Sequence, residues 1–148
     1  MKIYSPAAGM TKKIEEVNDE VFSQKMMGDG IAIVPEEEWI VSPVDGEVMA
    51  VFPTGHALGL KTEEGIELLL HLGVDTVELE GQHFNCVVTQ GQKVKMGDPL
   101  VQMAHQKIKE SGYENDVILM VIEARGKELE KPLSFGPVAI KDDLLTIR

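Results

Sequence analysis

The chain has 148 residues, 26% of them charged and 43% hydrophobic, with a formal net charge of −11. That suits one globular domain, 1–148, able to bury roughly two-thirds of its unfolded surface, and the acidic balance excludes a nucleic-acid binder, which needs a basic face. Cys86 is the only cysteine, so no internal disulfide exists, and no apolar run reaches the roughly 18 residues of a membrane span.

Taken in chain order, the N-terminal Met1-Lys2-Ile3-Tyr4-Ser5-Pro6 lacks a signal-peptide apolar core, so a cytoplasmic location is expected. Residues 19–27 favour a short helix of mixed character. Strands are predicted at 30–34, 39–42 and 47–52, where β-branched and apolar residues are bounded by Pro, Gly and acidic turns. A hairpin follows, with strands at 56–61 and 66–72 around Thr62-Glu63-Glu64-Gly65. Further strands are predicted at 76–80, 100–103, 117–122 and 144–147. Residues 104–111 read as a short polar helix ended by Gly112, and 126–135 as a polar excursion.

Two internal echoes constrain the architecture. Ser5-Pro6-Ala7-Ala8-Gly9 returns as Ser42-Pro43-Val44-Asp45-Gly46, and Val94-Lys95-Met96-Gly97-Asp98-Pro99-Leu100 as Val138-Ala139-Ile140-Lys141-Asp142-Asp143-Leu144. Proline fixes φ and glycine permits the reversal in the first pair. The expected fold is therefore all-β, an antiparallel sandwich or barrel with a duplicated motif and one or two short helices.

His56 and His71 are the candidate chemistry. If Lys61 pairs with Ile66 across a four-residue turn, Leu58 opposes Leu69 and His56 opposes His71, with Cβ atoms ~5 Å apart. Two imidazoles among leucines lower each other's pKa, and a neutral ring offers a lone pair to phosphorus or to a metal. Thr54, two residues before His56, is positioned either to bond that ring and fix its tautomer or merely to follow Pro53 in a turn. Asp75, at a strand terminus, is either an anchor for a partner's cation or an exposed turn aspartate. His83 and His105 sit in polar contexts and read as surface residues.

No His-x-x-x-His, Cys-x-x-Cys or three-ligand cluster occurs locally, so no resident metal or cofactor is expected, although His56 and His71 can take zinc opportunistically. Phosphate-loop and serine-hydrolase motifs are absent from the chain.

Several segments together resemble the glucose-type EIIA domain of the bacterial phosphoenolpyruvate-dependent sugar phosphotransferase system. They are Gly28-Asp29-Gly30-Ile31-Ala32-Ile33, Ser42-Pro43-Val44-Asp45-Gly46, Phe52-Pro53-Thr54-Gly55-His56-Ala57, the run from Gly65 to Leu79, and Gly91-Gln92-Lys93-Val94-Lys95-Met96-Gly97-Asp98. The likeness runs from about Ser5 to Met103 and more loosely beyond, with 106–131 matching least. It implies a small antiparallel sandwich with a hybrid-motif duplication. His71 would accept a phosphoryl group from the phosphocarrier HPr and pass it to the EIIB domain of a sugar permease. His56 would hydrogen-bond that group, and Thr54 would support His56. Asp19 and Asp75 would meet arginines of HPr, and Val21, Phe22, Met27, Phe52 and Leu69 would form the apolar surroundings of the docking face. Regulatory protein targets are a further implied class of partner.

Gly59 and Leu69 stand where some members carry phenylalanine, and Gly55 where some carry asparagine. These departures bear on partner affinity and leave the histidine chemistry intact. Starting at Met1 with no permease segment attached, the chain is expected to be a free-standing EIIA. Two rivals share related folds. A biotinyl or lipoyl carrier needs an exposed lysine at a hairpin tip, in a Met-Lys-Met or Asp-Lys-Ala setting that this chain lacks. A lysostaphin-type zinc peptidase needs a His-x-His pair, which His71-Leu72-Gly73 breaks.

Overall fold

A computed structural model describes residues 1–148. Its first strands are β1 (Lys2–Tyr4), β2 (Gly9–Lys13), β3 (Asp29–Pro35), β4 (Trp39–Val41) and β5 (Gly46–Val51). The hairpin strands are β6 (Ala57–Lys61) and β7 (Glu67–Leu72), followed by β8 (Phe84–Cys86), β9 (Lys93–Val94) and β10 (Pro99–Met103). The last are β11 (Val117–Glu123), β12 (Leu129–Glu130), β13 (Pro137–Val138) and β14 (Asp143–Ile147). Helix is confined to α1 (Glu20–Ser23), α2 (His105–Glu110) and two 3₁₀ turns, Ile14–Glu16 and Thr76–Leu79. None of these is long and apolar enough to cross a membrane.

The strands form an antiparallel sandwich. One layer is an eight-stranded sheet of order β13-β2-β3-β11-β7-β6-β5-β9. The other consists of two three-stranded sheets, β1-β14-β12 and β4-β10-β8. Between them lies a core of 25 buried residues, to which β7 sends Leu68, Leu70 and Leu72, β11 sends Val117 and Leu119, and β10 and β14 send Leu100 and Leu145. The outer face of the large sheet carries a second cluster, in which Ala32, Leu69, Ile118 and Met120 are roofed by Ile14, Val17, Phe22 and Val74. Alternation along β3, β7 and β11 divides their side chains between the two clusters. The first and last strands pair with each other, and the N-terminal amine donates to Ile147 O at 2.9 Å.

The internal echoes are a real duplication. Ser5 and Ser42 are both fully buried and repeat one local bond, Ser5 Oγ to Ala7 O at 2.8 Å and Ser42 Oγ to Val44 O at 2.6 Å. The two Ser-Pro elements also hold each other, Tyr4 N–H donating to Pro43 O at 3.0 Å and Val41 N–H to Pro6 O at 2.9 Å. Each docks its own copy of the second motif, with Ser5 N–H on Asp142 O at 2.7 Å and Ser42 N–H on Asp98 O at 2.8 Å.

Three local expectations need correction. The hairpin is closed by Thr62 N–H on Ile66 O, at 2.9 Å, leaving a three-residue turn with Gly65 at φ 87. The register therefore pairs Lys61 with Glu67, Leu58 with Leu70 and Ala57 with His71, one residue away from the expected alignment. Thr62 causes the shift, because its hydroxyl also accepts Ile66 N–H at 3.1 Å and so extends the ladder into the expected turn. Residues 76–79 form a 3₁₀ turn rather than a strand. Asp75 and Glu80 flank it in the left-handed region, and Thr76 Oγ1 donates back to Leu72 O at 2.6 Å. His105 is 7% exposed rather than a surface residue, and its carbonyl accepts Asn115 Nδ2 at 3.1 Å.

Candidate active site

Because β7 directs Leu68, Leu70 and Leu72 inward, Leu69 and His71 emerge on the outer face of the sheet. His71 lies half-buried there, its ring centroid 4.8 Å from that of Phe22 and tilted by 53°. Its Nδ1 is 2.7 Å from Gly73 O. A carbonyl only accepts, so Nδ1 carries the proton and Nε2 keeps the lone pair. Gly73 reaches this position at φ 86, where a Cβ would lie 2.4 Å from Thr76 Cγ2 and 2.9 Å from Glu114 O. Its own N–H is held by Asp116 O at 2.7 Å, and the next residue, Val74, donates to Glu114 O at 3.1 Å.

His56 arrives differently. It lies outside β6, after a turn closed by Gly55 N–H on Phe52 O at 2.8 Å with Gly55 at φ 74. A Cβ at Gly55 would stand 3.4 Å from Phe84 Cβ and 3.8 Å from Cys86 Cβ, so the turn rests directly on β8. The His56 ring is 4% exposed and meets His71 edge to face, with centroids 5.1 Å apart and planes at 78°. On its other side Phe52 makes a second edge contact at 5.5 Å. Thr54 belongs to this turn and also bonds the ring, its hydroxyl meeting His56 Nδ1.

Both imidazoles favour the neutral state. Burial, with the charge of His71 as the lesser cause, pushes His56 down from 6.5 to about 4. Burial also lowers His71, against the smaller raising effects of the Gly73 hydrogen bond and the carboxylates of Asp19 and Asp75. Two neutral rings, one with its lone pair on Nε2, have the chemistry to offer a nucleophile beside an N–H donor. No group of three or more His, Cys, Asp or Glu side chains is arranged to hold a metal ion.

The residues expected around the docking face separate into two sets. Val21, Met27 and Phe52 are exposed by 39%, 46% and 42%. Phe22 and Leu69 are 5% and 6% exposed in the outer cluster and support the site from beneath instead of contributing surface. Asp19 is half-buried and accepts Val21 N–H at 2.8 Å, capping α1. Asp75 is exposed at φ 58 with its carboxylate free of any cap bond. The Gly73 carbonyl and the Phe22–His71 contact were not foreseen. Glycine directly after the leucine-rich strand was the one signal for the first, since it marks a turn requiring positive φ.

The fold and site together define a β-sandwich domain that presents two neighbouring imidazoles beside exposed apolar side chains and two carboxylates. The chain belongs to the EIIA 1 family of the phosphoenolpyruvate-dependent sugar phosphotransferase system, whose family model matches residues 1–126. It is 53% identical over 102 residues to the glucose-specific EIIA component of Staphylococcus epidermidis, covering 69% of this chain and 61% of that protein. The beta-glucoside-specific EIIBCA component of Bacillus subtilis is 47% identical over 136 residues, 92% of this chain and 21% of that protein. With the glucose-specific EIICBA component of Staphylococcus carnosus the identity is 42% over 146 residues, 99% of this chain and 22% of that protein. The solved structure of glucose permease IIA from Mycoplasma capricolum superposes with a TM-score of 0.86 at 36% identity, covering 98% of this chain and 94% of that one. This chain thus spans 61% of the length of the glucose-specific component and about a fifth of the fused ones.

Proposed function

We propose that this chain is a phosphocarrier that works in the cytoplasm, taking a phosphoryl group from phospho-HPr on His71 Nε2. It then gives that group to the EIIB domain of a permease for glucose or a related sugar. The observation that carries the reading is the Nδ1–H bond of His71 to Gly73 O at 2.7 Å. It fixes one nitrogen as the nucleophile while burial keeps the ring neutral. Attack of the Nε2 lone pair forms an N–P bond as the donor's P–N bond breaks and its electron pair returns to the donor nitrogen. Nδ1 retains its proton, so the phosphorylated ring carries positive charge and leaves readily in the second transfer.

His56 complements this step. We assign Thr54 Oγ1–H as the donor to Nδ1, which puts the His56 proton on Nε2, where it is available to a phosphoryl oxygen. Phe22 and Phe52 flank the two rings and limit access of water. The rim residues Val21, Met27 and Phe52, with Asp19 and Asp75, offer an apolar patch and carboxylates for a partner's arginines. The fused EIIBCA and EIICBA names of two relatives support EIIB as the receiving partner.

Incubation with phosphoenolpyruvate, enzyme I and HPr tests the reading. The protein gains one acid-labile phosphate and His71→Ala abolishes it; label retained by that variant defeats the assignment. His56→Ala accepts phosphate but passes it on poorly, and normal sugar phosphorylation by that variant removes its supporting role.

A further inference from the structure

One buried charge lies outside the histidine pair and has no part in the mechanism above. In the registers of β2, β3, β11 and β7, Lys12 faces Ala32, Ala32 faces Ile118, and Ile118 faces His71. Opposed residues share a face, so Lys12 and His71 occupy one transverse row on the outer side of the large sheet. Asp116 stands two residues before Ile118, just ahead of β11, with its side chain 4% exposed. Its Oδ2 is buried without any hydrogen bond, and the charge opposing it is Lys12 Nζ at 2.8 Å. A carboxylate so placed depends on its ion pair, because burying a charge without a partner is heavily penalised.

The backbone of Asp116 leads directly to the nucleophile. Its carbonyl accepts Gly73 N–H at 2.7 Å, and the carbonyl of Gly73 accepts His71 Nδ1–H at 2.7 Å. Glu114 O, on the same segment, takes Val74 N–H at 3.1 Å. Residues 114–116 are therefore the support against which the Gly73 turn is set, and the one charged tie between that support and β3's far neighbour, β2, is Lys12–Asp116. We propose that Lys12 and Asp116 are a positioning pair for His71, acting through the Gly73 carbonyl to keep the Nδ1–H tautomer and so the free lone pair on Nε2. The inference rests on the reading of His71 as the phosphoryl acceptor.

The test uses the whole chain, with two readouts that separate this inference from that reading. The ¹⁵N shifts of His71 report its tautomer without any phosphoryl transfer, and rapid mixing with phospho-HPr reports acceptance. Lys12→Met strands a buried carboxylate and is expected to add Nε2–H tautomer and to slow acceptance about tenfold. Asp116→Asn keeps the shape, removes the charge and costs about threefold, with the same direction of tautomer change. The double variant K12M/D116N is no slower than D116N, because the two changes remove one interaction. Lys12→Arg, which keeps the countercharge, retains the wild-type shifts. A wild-type His71 tautomer in D116N, or a double variant as slow as K12M, overturns the proposal. D116N also supplies the answer if K12M does not fold. Failure of the wild-type chain to take phosphate on His71 would instead strike the phosphocarrier reading and leave the tautomer result standing.

Discussion

His71 and Gly73 are joined across one intervening residue by a hydrogen bond from Nδ1–H to the carbonyl oxygen, 2.7 Å long. The strand thus ends by turning back on its own histidine. Many histidine sites use a carboxylate for this purpose, and a carboxylate changes its charge with pH. A carbonyl does not titrate, so the Nδ1–H tautomer of the neutral ring is held by a partner whose charge does not change with pH, as long as the turn is intact.

Gly73→Ala tests the turn. At φ 86 an alanine is strained, and its Cβ would meet Thr76 Cγ2 at 2.4 Å and Glu114 O at 2.9 Å. We expect a loss of about 1–3 kcal/mol in urea unfolding, together with slower phosphoryl acceptance as the carbonyl is displaced from Nδ1. Unchanged stability and unchanged acceptance would show that the turn tolerates a side chain.

Thr54→Val removes the hydroxyl that bonds His56 Nδ1 while keeping the volume of the side chain. Acceptance by His71 should be nearly unaffected, whereas onward transfer to EIIB falls about tenfold as His56 loses its fixed tautomer. Thr54→Ser should restore it. Rapid-quench measurement of both half-reactions distinguishes these steps, and equal slowing of both would place Thr54 in a general folding role.

Phe22 joins the outer cluster to the site. Truncation to alanine in a position only 5% exposed should cost about 3 kcal/mol. It also uncovers one flank of His71, whose lowered pKa has burial as its largest cause. The His71 pKa should therefore rise in Phe22→Ala, as followed by NMR titration; a static or falling value would mean that other groups desolvate the ring.

The histidines make stability depend on pH. His56 is lowered from 6.5 to about 4, and His71 is lowered too. Each takes up a proton more readily in the unfolded chain than in the folded one. The His56 contribution is complete above the unfolded pKa of 6.5 and is lost as the pH falls toward about 4, and that of His71 is lost in the same direction. Urea midpoints should thus hold steady near neutrality and decline across that window. The decline should be shallower in His56→Gln, and parallel curves for the two proteins would contradict the shift assigned to His56.

Much of this was legible in the chain because it is written in local patterns. The Ser-Pro echoes contain the prolines whose carbonyls accept across the duplication from Tyr4 and Val41, the residues just ahead of each echo, and the β7 alternation places Leu69 and His71 on one face and Leu70 on the other. The pairing of the histidines was also readable, although for a partly mistaken reason. Ala57 opposes His71 in the ladder, and His56 reaches the site from the turn beyond it. A threonine hydroxyl extended the ladder by one pair, a tertiary detail that turn propensities do not encode. The burial of Phe22 and His105 depends on contacts between distant segments, and the tautomer of His71 on a backbone oxygen, so neither carries a side-chain signature in the sequence.

The pairing of β1 with β14 has a mechanical consequence. Both chain ends lie side by side in a sheet on the opposite side of the core from the histidines. A tether attached at either end pulls on the same rear anchorage, leaving the reactive face clear. Two EIIA-containing relatives carry the letters of their modules in different orders, EIICBA and EIIBCA. A stands last in both names, so the swap concerns only the other two modules; with the chain ends adjacent at the rear, the reach of the histidine face toward a tethered partner is set by the length of the leash.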